Sequence, residues 1–205
     1  MFIELLGLSG VKIQTNSTTI LLSPAGEKSE LKASRMKADI VVFSNSQDKA
    51  NIDPTEEKLF KITKPGEYES SGVFLYCAAN PPKGECKSIL TSITVEGVSI
   101  AHLSNLDQDL TKEQIELFEG SDILIIPVGG NNVIDAKRAT TIVEKIEPRI
   151  VIPMHFAQKE LKTKYDDVQK FLKEAGAKIT EPQEKLKIIK KDLPQETMDI
   201  IYLKP

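Results

Sequence analysis

The sequence is poor in the side chains that most often build catalytic and metal centres. Its 205 residues include only two histidines, two cysteines and no tryptophan. Two histidines are too few for a binuclear metal site built mainly from imidazole, and two cysteines alone fall short of a zinc ligand set. The scarcity of aromatic side chains argues against a platform on which nucleic-acid bases stack.

The chain also lacks a strong net charge and long apolar runs. A net charge of −3 is mild and gives no indication of a nucleic acid or an anionic membrane as partner. No apolar run reaches the roughly 18 residues that span a bilayer, and the N-terminus shows no signal-peptide pattern. We therefore expect a cytoplasmic protein in which Cys77 and Cys86 are reduced thiols.

What the chain does contain is the composition of an ordinary globular protein, with 40% apolar and 28% charged residues. Its length suits one domain, which we expect to span residues 1–205. The first half reads as short apolar or β-branched runs separated by turn residues, which is typical of strands. The predicted strands are residues 2–6, 11–15, 19–22, 38–43, 60–63, 72–78, 88–95 and 98–103.

The second half alternates strands and helices. A capping box from Thr111 to Gln114 predicts the start of one helix, and Asp135 is placed to cap a second helix that ends at Ile146. An amphipathic pattern predicts a third helix over residues 163–175. Further strands are predicted at residues 122–128, 149–154, 185–190 and 198–203. This order of elements indicates a mixed α/β layered domain.

Two short segments, Pro-Val-Gly-Gly at 127–130 and Ile-Pro-Met-His-Phe at 152–156, lie about one helix apart. With the segments at 6–13, 20–24, 38–42 and 64–69, they resemble the metallo-β-lactamase superfamily, in particular its small stand-alone bacterial and archaeal branch. The resemblance extends in order over about residues 1–156. It implies a four-layer αββα sandwich, with two mixed sheets face to face, helices outside and the site at one edge between the sheets.

Members of this superfamily hold one or two divalent metals, usually zinc, on a histidine- and aspartate-rich loop and on later histidine and aspartate residues. The metal activates a bound water for hydrolysis. The resemblance puts non-ligand or weaker residues at nearly all of these positions; they are Asn45, Gln47, Lys49, Ala50, Glu67 and Asn105. Only the final histidine is kept, as His155.

The stretch from 45 to 49 contains one carboxylate and no histidine. A shift of one residue in the alignment would bring Asp48 to the aspartate position, but no shift supplies the missing imidazoles. The Lys49 ammonium would repel a metal dication, or would pair with Asp48 or Glu67 and hold the loop together.

Our main hypothesis is a non-catalytic pseudo-hydrolase with no metal cofactor, which acts as a binding or interaction module. Its partner would be a small polar or anionic ligand or a protein, and neither a nucleic acid nor a membrane. The ligand would bind in a vestigial cleft lined by Asn45, Gln47, Asp48, Lys49, Glu67, Asn105 and His155.

Two alternatives stay open. One is a metal-dependent hydrolase with an atypical mononuclear zinc site formed by His155, Glu67, Asp48 and possibly His102. The other is a structural subunit that assembles through a sheet edge or an outer helix. Ser44, Ser46 and Ser104 have no recognisable histidine and acid partners in the sequence, so a serine hydrolase is not predicted.

Overall fold

The computed structural model describes residues 1–26, 29–31, 35–44, 50–55, 58–81, 86–177 and 181–205. The strands are β1 (Phe2–Leu6), β2 (Gly10–Gln14), β3 (Thr19–Leu22), β4 (Met36–Ala38), β5 (Ile40–Val42), β6 (Ile52–Pro54), β7 (Phe60–Ile62), β8 (Gly66–Ser70), β9 (Val73–Asn80), β10 (Ser88–Val95), β11 (Val98–His102), β12 (Ile123–Pro127), β13 (Ile150–Met154), β14 (Leu186–Lys187) and β15 (Asp199–Ile200). The helices are α1 (Lys112–Phe118), α2 (Ala136–Ile146) and α3 (Val168–Glu174), with a 3₁₀ turn at Lys190–Asp192.

Two mixed sheets form the centre of the fold. The six-stranded sheet has the order β14-β1-β2-β3-β5-β7, and the seven-stranded sheet has the order β15-β13-β12-β11-β10-β9-β8. In each sheet antiparallel hairpins make up one part and parallel strands the other. A separate two-stranded sheet pairs β4 with β6 in parallel.

The main hydrophobic core lies between the two large sheets, because successive side chains of a strand point to opposite faces. On β3, Ile20 and Leu22 belong to this core, whereas Leu21 belongs to a second, smaller core on the outer face of the same sheet. Every residue of β12 and β13 is buried. This is expected for parallel strands that are covered on both faces.

The two outer layers differ in kind. Helices α2 and α3 pack on β12 and β13 of the seven-stranded sheet. The second core, on the six-stranded sheet, is covered by Met36 of β4 and Ile52 of β6. The predicted αββα sandwich is therefore confirmed, but in the part of the chain that the structure describes, one outer layer contains the β4–β6 pair and no helix.

Most predicted elements occur where the sequence places them, but several differ; the strands predicted at 185–190 and 198–203, for example, are reduced to β14 and β15. The predicted strand at 38–43 is shorter and begins after Asp39, whose carboxylate accepts a hydrogen bond from the Thr19 N–H at 2.7 Å. The predicted helix at 163–175 begins only at Val168, because the Asp167 side chain caps it through the Gln169 N–H. Strands β6 and β8 fall where the sequence predicts no strand. None of the helices in the described ranges is long and apolar enough to cross a membrane.

Candidate functional site

Three buried residues at strand ends adopt a left-handed backbone although none is glycine. They are Ser23 after β3, Ser104 after β11 and His155 after β13, with φ values of 43°, 44° and 55°. This conformation is uncommon for residues that carry a Cβ, and it tends to occur at functional sites. All three side chains are buried.

The strand ends of the two sheets meet at these residues. Ser23 follows β3 of the six-stranded sheet and Ser104 follows β11 of the seven-stranded one, and their Oγ atoms lie 3.0 Å apart. The edge between the sheets is therefore closed by a polar contact. A cluster of three polar residues, Ser9, Asn105 and His155, lies beside this contact. We call this cluster the strand-end site.

His155 is the centre of the strand-end site. Its Nδ1 lies 2.7 Å from Ser9 Oγ, its backbone N–H donates to the Leu8 carbonyl at 2.9 Å, and the Tyr165 ring packs edge-on with the ring centroids 4.8 Å apart. Its Nε2 is buried and has no hydrogen-bond partner among the described residues. Burial lowers the pKa of His155 to about 4, so the imidazole is neutral at pH 7.

Ser9, in the turn between β1 and β2, connects the polar residues of this edge. Its Oγ donates a hydrogen bond of 2.5 Å to Asn105 Oδ1, and its backbone carbonyl accepts one of 2.9 Å from His102 Nε2. His102 is fully enclosed, and burial lowers its pKa to about 4 against the opposing effect of this hydrogen bond. His102 is thus a neutral, hydrogen-bonded residue beneath the site.

The turn that follows β12 allows His155 its position. A Cβ at Gly129 would collide with the His155 carbonyl oxygen, so only glycine permits this close approach of the two backbones. Gly130 has a φ of 63°. Gly129 therefore serves the backbone geometry around His155, and Gly130 serves the left-handed turn that follows β12.

Glu67, predicted as a cleft residue and as a possible metal ligand, does not join the strand-end site. It is exposed on β8, the edge strand of the seven-stranded sheet, whereas His155 follows β13, five strands away. At ~4.8 Å between strands, that separation is about 24 Å across the sheet. Asn45, Gln47, Asp48 and Lys49 lie outside the described residues.

The predicted mononuclear zinc set is not assembled by the residues that the structure describes. Among them no three histidine, cysteine, aspartate or glutamate side chains come close enough to hold a metal ion. The unpartnered Nε2 of His155 suits one ligand position, but the hydroxyl and amide beside it are weak ligands for zinc. The described donor set therefore does not fit the superfamily's usual metal centre.

The sequence analysis names His155 and Asn105 as cleft residues, but it does not name Ser9, which joins them. The Gly-Leu-Ser-Gly stretch at 7–10 reads only as a turn. The partners of Ser9 lie 96 and 146 positions further along the chain, so no local pattern signals the contact. Ser104, considered only as a possible nucleophile, instead bonds to Ser23.

A separate cavity lies elsewhere on the molecule. It has a volume of about 790 Å³ and is lined partly by Phe2, Glu4, Glu96, Lys185 and Lys187. None of its lining residues belongs to the strand-end site. We therefore do not associate it with the chemistry of that site.

Comparison with known proteins identifies the class. Residues 2–155 match the family model of the beta-lactamase superfamily domain, and the chain belongs to this superfamily. The resemblance that the sequence indicated is thereby confirmed.

Particular relatives carry more specific names. A UPF0173 metal-dependent hydrolase from Thermococcus onnurineus is 31% identical over 110 residues, which cover 52% of this chain and 45% of that protein. Another from Staphylothermus marinus is 34% identical over 68 residues, which cover 32% of this chain and 30% of the relative. The chain thus spans less than half the length of these curated relatives.

Solved structures agree with the fold. A protein from Thermotoga maritima, assigned as a Zn-dependent hydrolase of the metallo-beta-lactamase superfamily, has a TM-score of 0.82 at 25% identity, with all of both chains covered. Igni18, a metallo hydrolase from Ignicoccus hospitalis, has a TM-score of 0.62 at 15% identity and covers 90% of this chain and 97% of its own. The second likeness shows the fold alone.

Proposed function

We propose that this chain uses the superfamily fold to bind a small polar ligand at the strand-end site, without a binuclear metal centre. The observation that carries the proposal is the His155 Nε2, a buried polar atom with no partner among the described residues. Leaving such an atom unpaired costs about 1–3 kcal/mol, so a group that bonds to it regains that free energy.

The number of available donors argues against a binuclear centre. The whole chain has two histidines, and the Nε2 of one of them, His102, is already bonded to the Ser9 carbonyl. The stretch from 45 to 49 contributes a single carboxylate, that of Asp48, to the ligands available in the sequence. A catalytic zinc site takes three protein ligands, and a binuclear site takes more.

The second candidate is a metal-dependent hydrolase with an atypical mononuclear site. The names of the relatives support it, and they support this reading better than a non-catalytic one. The geometry of His155 is compatible with it, because metal-binding histidines commonly have the other ring nitrogen held by a hydrogen bond. Such a site would combine His155 with Asp48 and at least one further ligand.

Elemental analysis of the full chain, purified without chelator or metal-affinity tag, separates the two candidates. We expect well below one zinc, manganese or iron ion per chain, and no hydrolysis of bis(p-nitrophenyl) phosphate above the buffer rate. About one ion per chain, with hydrolysis that EDTA abolishes, would overturn the metal-free proposal. His155→Ala should then lose both metal and activity, while His102→Gln, at a buried histidine beneath the site, should keep them.

A further inference from the structure

A chain of hydrogen bonds leads from Asn105 through Ser9 to His155. Ser9 Oγ lies 2.5 Å from Asn105 Oδ1 and 2.7 Å from His155 Nδ1. Both contacts are short enough to be genuine hydrogen bonds. The direction of each one follows from the number of protons that the three groups carry.

A serine hydroxyl has one hydrogen, and an amide oxygen can only accept. Ser9 therefore donates its hydrogen to Asn105 Oδ1. Toward His155, Ser9 Oγ can then act only as an acceptor. The hydrogen in the second contact must then come from His155 Nδ1. A neutral imidazole carries one N–H, so Nε2 is left with a bare lone pair.

We infer that Ser9 and Asn105 hold His155 in the Nδ1–H tautomer, and that Nε2 thereby presents a lone pair to any ligand of the strand-end site. Ser9 is a positioning residue, since it acts through His155. The inference deepens the proposed function by naming the ligand class: a group that donates a hydrogen bond, such as an N–H or O–H. A group with acceptors only, such as an ionised carboxylate, would set its lone pairs against that of Nε2.

His102 provides an opposite tautomer in the same molecule. Its Nε2 lies 2.9 Å from the Ser9 carbonyl oxygen, which can only accept, so His102 carries its hydrogen on Nε2. Ser9 thus orients both histidines, one through its hydroxyl and one through its backbone. Because these are the only histidines of the chain, the two ring systems are easily distinguished in a spectrum.

Long-range ¹H–¹⁵N correlation spectra of the ¹⁵N-labelled, ligand-free full chain at pH 7 test the inference. We expect one ring with a protonated Nδ1 and an unprotonated Nε2, and a second ring with the reverse pattern. His102→Gln assigns the signals by removing the second set. A protonated Nε2 on His155 would overturn the inference.

Variants of Ser9 test its role as the positioning residue. Ser9→Ala removes the hydroxyl, and we expect His155 to lose its single tautomer and to populate the Nε2–H form. The His102 signals should stay in place, because the backbone carbonyl of residue 9 remains, and they report that the fold is intact. Ser9→Thr keeps a hydroxyl and should keep the wild-type pattern. An unchanged His155 pattern in Ser9→Ala would refute the role of Ser9.

The experiment separates this inference from the proposed function. It is carried out without metal or ligand, so the tautomer is observed whether or not a ligand is later found. A bound metal in elemental analysis would overturn the proposed function and leave the tautomer standing. An Nε2–H tautomer of His155 would rule out a hydrogen-bond donor as the ligand class, and it would leave the metal content unaffected.

Discussion

At His155 one ring nitrogen is held by the protein and the other is left open. Nδ1 contacts the Ser9 hydroxyl, and Nε2 has no partner among the described residues. Burial keeps the ring neutral at physiological pH. The His155 ring is therefore an uncharged hydrogen-bond acceptor whose lone pair has a fixed direction.

Burial of both histidines predicts a fall in stability as the pH decreases. The pKa of His102 and that of His155 are lowered from 6.5 to about 4, so the unfolded chain takes up protons between pH 6.5 and 4 while the native chain does not. Each buried neutral ring makes its full contribution to the free energy of unfolding above pH 6.5. This contribution, about 3 kcal/mol per histidine, is lost as the pH falls from 6.5 toward 4.

Urea unfolding at pH 7 and pH 4.5 measures this effect. His102→Gln keeps an N–H donor for the Ser9 carbonyl and removes one titrating ring. It should therefore weaken the dependence of the unfolding free energy on pH by about the contribution of one histidine. If the variant and the wild type show the same pH dependence, the His102 part of this account is wrong.

At the level of single residues, the sequence predicted His155 because it stands in a recognisable strand-end segment. It could not predict the role of Ser9, since the contacts of that residue are formed only when the fold brings the first hairpin beside the end of β13. The position of Glu67 could not be predicted for the same reason. Its segment resembles a ligand segment in sequence, but the structure puts it on the far edge of the sheet.

Among the structural elements, the starts of α1 and α2 were predicted correctly from their capping residues. Thr111 and Gln114 form the expected capping box of α1, and Asp135 caps α2 by accepting from the Arg138 N–H at 2.9 Å. Strand β8 was missed because its sequence, Gly-Glu-Tyr-Glu-Ser, has no apolar run. Its strand conformation depends on pairing with β9, in which Glu67 stands opposite Tyr76.

Removing the cap of α2 should destabilise the protein measurably. Asp135→Ala takes away the acceptor for the Arg138 N–H at the first turn, which typically costs about 1 kcal/mol. For a chain of this length we expect the melting temperature to fall by roughly 2–4 °C. Thr141→Ala, on the exposed face of the same helix, is the matched control and should change stability by less than about 0.5 kcal/mol. Equal effects of the two variants would argue against the cap.

For the molecule as a whole, the contact between the two sheets at Ser23 and Ser104 should be energetically coupled. Removing either hydroxyl leaves the other buried without this partner, so Ser23→Ala and Ser104→Ala should each cost about 1–3 kcal/mol. The double variant should cost less than the sum, and a double-mutant cycle by urea unfolding measures the difference. Strict additivity would show that the 3.0 Å contact contributes no coupling.

The fold of the whole chain could be predicted from the sequence because it depends on many alternating apolar positions, none of which determines it alone. The Thermotoga maritima structure covers all of both chains at 25% identity, which shows how much substitution this sandwich tolerates. A metal site tolerates far less, because each missing ligand removes a large part of its affinity. Family membership therefore fixes the architecture here more firmly than it fixes the chemistry.

The most direct test of the central claim is thermal melting with and without zinc, for wild type and for His155→Ala. Zinc at 100 times its dissociation constant would stabilise the native chain by about 2.7 kcal/mol, if a site exists. We predict no rise in melting temperature for either protein, because the chain has only two histidines and the Nε2 of one of them, His102, is already hydrogen-bonded. His155→Ala controls for zinc bound by cysteines, which it retains. A rise of several degrees in the wild type that is absent in His155→Ala would contradict the account.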